Sequence, residues 1–159
     1  MRLRRPGDMG WLLERHATIY PEEFGYLPVF EDYVARTIPP YLENFDPRLD
    51  ASWIAESGGR RFGTITIQHD PKRPGWGKLR WYFVEKEARG HGVGKLLLDE
   101  ALRFSRAAGY AGIHLLTVSD LAGARKQYER VGFRLAHEET VPCPWAPWGR
   151  EQHWDLRLH

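Results

Sequence analysis

Residues 84–95, Val-Glu-Lys-Glu-Ala-Arg-Gly-His-Gly-Val-Gly-Lys, place glycine at every second position, at Gly90, Gly92 and Gly94. A strand-like run precedes them and an amphipathic run follows, so the chain must pass from strand to helix through a bare backbone turn. That requirement selects an α/β architecture. Successive N–H groups can converge there on an anion, and the positive end of the following helix adds to the attraction. Arg89 and Lys95 stand at the ends of the loop, so the segment reads as a cradle for a pyrophosphate.

Two nucleotide loops are excluded by spacing. A P-loop would need Gly at 89 and a hydroxyl at 96, where the chain has Arg89 and Leu96, so the magnesium ligand is missing. The dinucleotide fingerprint fits Gly90 and Gly92, but Gly94 comes one residue early, and half the chain precedes it.

The period of the apolar residues orders the rest. Arg2–Arg5 is a short strand ended by Pro6-Gly7. Asp8 is placed to cap a helix over Met9–Ile19, which Pro21 should stop. A second helix runs over Val29–Leu42, interrupted near Pro39-Pro40. Ser52–Glu56 and Arg61–His69 read as strands joined by Ser57-Gly58-Gly59, and Lys78–Val84 as a third, giving an antiparallel meander. Val93, Leu97, Ala101, Phe104 and Ala108 mark a helix with one buried face, ended by Gly109. Ile113–Val118 follows a helical crossover and so should be parallel to the strand before it. Asp120 can cap a helix carrying Leu121, Ala124, Tyr128 and Val131 on one face, ended by Gly132. Phe133–Glu138 and Gln152–Leu158 are the last strands.

Composition narrows the class. The 159 residues suit a single domain over 1–159, and 42% hydrophobic with 28% charged residues is an ordinary globular mix. No apolar run reaches the ~18 residues of a membrane span, and Met1–Arg5 lacks the apolar stretch of a signal peptide. The net charge of +2 does not announce a nucleic-acid partner. The one cysteine, Cys143, fits a reducing compartment, and the expected location is cytoplasmic. The seven histidines form no i,i+4 pair and there is no second cysteine, so no metal is expected. With no base specified beside it, Cys143 is read as a packing residue rather than a nucleophile.

The spacing Arg89-x-x-Gly92-x-Gly94 resembles the acyl-coenzyme-A loop of the GCN5-related N-acetyltransferase (GNAT) family. Ala124-Arg125-Lys126-Gln127-Tyr128-Glu129-Arg130-Val131-Gly132-Phe133 resembles that family's A-x-x-x-Y-E-x-x-G-F stretch, and the two motifs stand in the family's order and separation. The resemblance covers residues 78–133. It implies a mixed, mostly antiparallel sheet whose central parallel strand pair splays apart, flanked by helices. It also implies acetyl-coenzyme-A-dependent transfer of an acetyl group to a primary amine, by direct attack in a ternary complex.

On that basis the backbone of Arg89, Gly90, His91, Gly92, Val93 and Gly94, with Lys95, would take the pyrophosphate. The main chain of Phe83-Val84 would pair with pantetheine. Tyr128 would donate a proton to the departing thiolate, with a core tyrosine as the plain alternative; a phenol of pKa ~10 is protonated at pH 7. Arg125 and Lys126 could meet phosphates or simply face solvent. The family often has Asn where this chain has Leu121, so Ser119 or Asp120 would supply the polar contact.

The general base stays open among Glu22, Glu23, Glu31, His16 and His69, directly or through water. The stretch from His16 to Gly25 resembles the acceptor-side segment of the acetyltransferase half fused to MarR-type regulators, without their winged-helix portion. The acceptor, a small molecule or a protein amine, is expected at Tyr20, Glu22, Glu23 and Trp145, near Trp148. A noncatalytic acyl-coenzyme-A-binding module and a longer-chain acyltransferase are the rival readings. The chain is expected to be a monomer or homodimer.

Overall fold

The computed structural model describes residues 1–159. Its elements follow the order β1 (Arg2–Leu3), α1 (Asp8–Phe24), α2 (Val29–Glu43), β2 (Ala51–Ser57), β3 (Arg60–His69), β4 (Trp76–Val84), α3 (Val93–Ala107), β5 (Gly112–Val118), α4 (Ala122–Arg130), β6 (Arg134–Glu138) and β7 (Glu151–Arg157). Hydrogen bonding orders the strands β1-β2-β3-β4-β5-β7-β6. Every described pairing is antiparallel except that of β4 with β5. This is the mixed sheet that the sequence implied. The chain forms two compact units, Met1–Arg5 with Phe45–Leu115 and Leu156–His159, and Pro6–Asn44 with Leu116–Asp155.

In the first unit, β2 and β3 form a hairpin closed by Ser57↔Arg60. Gly58 and Gly59 turn it at φ 58° and 76°, the paired left-handed conformation that suits the twist of a two-residue hairpin. The ladder between β3 and β4 pairs Thr64 with Phe83 and Thr66 with Arg80, so Ile65 opposes two residues. The extra residue is a bulge on β4, and there Trp81 takes φ 50°, an uncommon conformation for an aromatic side chain. The parallel ladder pairs only Trp76–Lys78 with Gly112–His114.

α3 packs on β2, β3 and β4. It buries Leu97, Leu98, Ala101, Leu102 and Ser105, each large aliphatic contributing about 1.5–3 kcal/mol by leaving water. This stripe is rotated from the expected one: Phe104 and Ala108 lie at its half-exposed margin. Ser105 tolerates burial because its hydroxyl donates to the Ala101 carbonyl at 2.7 Å.

In the second unit, α1 and α2 pack together through Leu12, Ile19, Phe30, Val34, Ile38 and Tyr41. Both helices run through the prolines expected to stop or interrupt them. A proline removes one backbone donor and crowds the preceding turn, but these three stand near helix ends, and apolar packing of the flanking residues holds the turns. α1 closes at Gly25, whose N–H donates to the Pro21 carbonyl at φ 67°. α2 closes where both the backbone and side-chain amides of Asn44 donate to the Pro40 carbonyl. Asp8 is not the cap: it is a buried residue of the first turn, and Gly7 takes the capping position at φ 90°. α4 buries Tyr128 alone, so its apolar face is narrower than the sequence pattern implied.

Candidate functional site

The glycine loop belongs to the first unit. It leaves β4, makes a short 3-10 turn at Lys86–Ala88, and enters α3 at Val93. Gly90 and Gly92 adopt φ 80° and 81°, and a Cβ at either would meet nothing within 4 Å. The side of the loop facing away from the fold is therefore open, and only glycine holds this backbone without strain. The N-terminal amides of the 15-residue α3 begin directly beyond. Tyr82 of β4 donates to the Gly94 carbonyl at 2.9 Å and anchors the last glycine. Arg89 Nε donates to the Val84 carbonyl at 3.0 Å, folding its side chain back along the loop. Lys95 Nζ pairs with Asp99 at 2.5 Å, one turn along α3. His91 is exposed, its Nδ1 3.1 Å from the Arg89 carbonyl. Phe83 is buried and paired to Thr64 of β3, and Val84 to Gly63.

Tyr128 belongs to the second unit. It is buried, edge-on to Phe133 with centroids 5.6 Å apart. One turn earlier on α4, Arg125 has its Nε buried without a hydrogen-bond partner. Ser119 exchanges two hydrogen bonds with the backbone of Arg150: its N–H donates to the carbonyl, and its Oγ accepts from the amide, both at 2.9 Å.

Tyr20, Trp145 and Trp148 also lie in the second unit, within an aromatic cluster. His16, Tyr20 and Phe24 recur at i,i+4 along α1; Tyr20 lies 5.5 Å from Tyr26 and 5.2 Å from Phe30. Trp145 stacks on Tyr33 at 4.4 Å and meets Phe30 at 5.7 Å. The Trp145 carbonyl accepts from Leu27 N–H at 2.8 Å, while its indole Nε1 is buried without a partner. Trp148 is 55% exposed and lies 6.4 Å from Tyr26. Glu22 and Glu23 are exposed in the last turn of α1.

A polar centre of this cluster was not legible in the sequence. Asp120 does not cap α4, whose capping position is Leu121. Its two oxygens accept from Tyr26 Oη at 3.1 Å and Trp148 Nε1 at 3.0 Å. Burial, and then the Asp120 charge, push the Tyr26 phenol well above its ordinary value. The partners are 94 and 28 residues from Asp120 in the chain, so no local pattern announces them. The i,i+4 aromatic stripe was the available signal.

The base candidates separate. His16 is buried, with Nδ1 2.8 Å from the Leu12 carbonyl, and burial lowers its pKa to about 4. It is neutral near pH 7 but a weak proton acceptor. In the first unit, His69 Nδ1 stands 2.9 Å from both oxygens of buried Asp50, which also accepts from the amides of His69 and Asp46. That arrangement clasps the loop before β2 to the end of β3. Glu31 occupies the first turn of α2, where negative charge suits the helix dipole. Cys143 is buried and its thiol is pushed up by that burial, the reverse of what a nucleophile needs.

A mixed sheet with one parallel pair, a glycine-rich turn into a long helix after the fourth strand, and a buried tyrosine on the next helix define the acetyltransferase class. The sequence model of the acetyltransferase (GNAT) family matches residues 12–133. The chain belongs to this family. N-acetyltransferase 8 of Mus musculus is 34% identical over 92 residues, covering 56% of this chain and 40% of that protein. The chain thus spans less than half the length of the curated relatives it first matches. A GNAT-family acetyltransferase of Staphylococcus aureus Mu50 superimposes with TM-score 0.77 at 20% identity, covering 99% and 98% of the two chains. The ribosomal-protein-alanine N-acetyltransferase of Brucella melitensis gives 0.74 at 17% identity, covering 98% of each. These two likenesses bear on fold. No helix of the chain is long and apolar enough to cross a membrane.

Proposed function

We propose that the protein is an acetyl-coenzyme-A-dependent N-acetyltransferase that acetylates a primary amine by direct attack. The observation that carries this reading is the loop from Arg89 to Lys95, whose Gly90 and Gly92 keep open space at a helix N-terminus. The residues fit the group: the backbone of Arg89–Gly94 would hold its pyrophosphate, the main chain of Phe83-Val84 its pantetheine amides. In the second unit, the donors that the sequence resemblance assigns to the cofactor are Arg125, whose Nε is without a partner, and Ser119, which keeps a hydroxyl proton to give. When bound, acetyl-coenzyme A supplies an activated acyl carbonyl and a thiolate leaving group.

The chain's own residues then have separate tasks. Tyr128 holds a proton on Oη and gives it to the departing sulfur. The protonated phenol is the form needed for donation. Glu22 or Glu23 takes the proton from the amine, directly or through water. Their exposed carboxylates sit in the last turn of α1, which carries no basic residue. Negative charge there opposes the helix dipole by about 0.3–1 kcal/mol each, a cost that attraction of a cationic amine would offset. Tyr20 and Trp145 would flank the acceptor, and the unpartnered Trp145 Nε1 offers it a donor. The acceptor is a small-molecule or protein amine, and the reaction belongs to the cytoplasm.

A screen of amines with acetyl-coenzyme A, read by free-thiol release, tests the proposal. Amine-dependent release at catalytic rates is expected. Tight binding of acetyl-coenzyme A with no release for any amine would mark a noncatalytic binding module instead.

A further inference from the structure

The second unit carries a cluster of side chains that acetyl transfer does not use. β6 and β7 are antiparallel, with His137 opposite His153. The ladder continues one step further, where Glu139 N–H donates to the Glu151 carbonyl at 2.9 Å. Side chains two apart on a strand share a face, so His137 and Glu139 face the same way as His153 and Glu151. The sequence signature is His137-x-Glu139 mirrored by Glu151-x-His153, at strand rather than helical spacing. His137-x-Glu139 and Glu151-x-His153 contain neither an i,i+4 histidine pair nor a cysteine pair, the two patterns whose absence led to no metal being expected.

The distances are longer than hydrogen bonds and match the spacing of ligand atoms around one ion. His153 Nε2 stands 3.3 Å from Glu139 Oε1 and 3.6 Å from Glu151 Oε1; His137 Nε2 stands 3.5 Å from the same Glu139 oxygen. Hydrogen-bonded N···O pairs lie at about 2.7–3.2 Å. Two ligand atoms each ~2.0–2.1 Å from a tetrahedral ion would stand about 3.3 Å apart. One atom each from Glu139, Glu151 and His153 falls within a mutual 4.8 Å. His153 Nε2 is itself buried yet makes no hydrogen bond, although two carboxylate oxygens lie near it. A cation would satisfy that nitrogen and also neutralise two carboxylates held side by side. The three side chains are partly exposed, so an ion can reach them.

We propose that Glu139, Glu151 and His153 bind one divalent transition-metal ion of the zinc type, with water as the fourth ligand. One nitrogen and two carboxylate donors, a set of three protein atoms, suit such an ion rather than calcium or magnesium, which take six or more oxygens or keep several waters. Glu139 and Glu151 are the residues flanking the connection from β6 to β7, which carries Trp145 and Trp148. The ion would staple the base of that loop. The inference is independent of the acetyl-transfer reading.

The test uses the full chain, free of any affinity tag and stripped of metal. Calorimetry with Zn²⁺ should show one ion per chain at micromolar affinity or tighter. Co²⁺ should give the visible absorption of four-coordinate geometry, and Zn²⁺ should raise the melting temperature. His153→Ala and Glu151→Gln should each weaken binding at least tenfold, with circular dichroism unchanged. His159→Ala, altering a histidine outside the cluster, should bind as wild type. No saturable Zn²⁺ binding by the wild-type chain would overturn the proposal. So would wild-type affinity in His153→Ala.

Discussion

The glycine loop and the aromatic cluster are built on opposite principles. The loop between β4 and α3 is shaped by its backbone, with φ values that only glycine holds without strain and N–H groups at a helix start. The cluster around Asp120 works through side chains brought together from α1, α2 and the β6–β7 connection. A backbone site is local, so a short motif can announce it. A side-chain site drawn from distant segments has no such motif. The loop should therefore fail on any change of backbone freedom, whereas the cluster should respond by degrees.

The largest expected effect is on turnover. Tyr128→Phe removes one proton donor while keeping the ring against Phe133, so kcat should fall ~10²–10⁴-fold with acetyl-coenzyme A affinity nearly intact. A wild-type kcat, with chemistry shown to limit the rate, would reduce Tyr128 to a core residue.

Gly92→Val comes next. The residue stands at φ 81° in open space, so a β-branched side chain both strains the turn and fills the cradle. Calorimetry should show acetyl-coenzyme A affinity reduced at least 100-fold. Full affinity would mean that the loop is only a turn.

A stability effect comes from His16. Its pKa is about 4 in the fold against 6.5 in an unstructured chain. Between those values the unfolded state binds more protons, so the stability from the neutral ring is complete above pH 6.5 and is lost as pH falls toward 4. The full difference is of order 3 kcal/mol. Melting temperature against pH should fall more steeply in the wild type than in His16→Gln over that window. Parallel curves would remove His16 as the cause.

The smallest effect on binding comes from Glu22 and Glu23. Replacing both together by Gln should raise the amine's KM about three- to tenfold, the scale of two partly screened charges, while the KM for acetyl-coenzyme A stays unchanged. The kcat should fall as well, because the amine loses its proton acceptor. Equal changes in both KM values would move the acceptor elsewhere.

The contrast also explains what the sequence could announce. The loop, the order of elements, the Gly58-Gly59 hairpin and the parallel β4–β5 pair were legible because each depends on neighbours in the chain. The end of α1 and the continuity of α2 were not, because Pro21, Pro39 and Pro40 are read locally as breakers while the helices run through them. The stripe of α3 was misplaced because Ser105 is buried by a hydrogen bond that polarity alone argues against. Asp120 looked like a helix cap because its true partners, Tyr26 and Trp148, are remote. The bulge at Trp81 has no sequence signal of its own, since it arises from the register between β3 and β4.

The most direct test of the central claim follows an isotopically labelled acetyl group from acetyl-coenzyme A by mass spectrometry, after incubation with an accepted amine. The label should appear on the amine nitrogen in step with thiol release, and none should remain on the protein at any time. Label retained on the chain, at Cys143 or elsewhere, before its appearance in product would contradict direct transfer. Complete absence of labelled amine would contradict the acetyltransferase assignment itself.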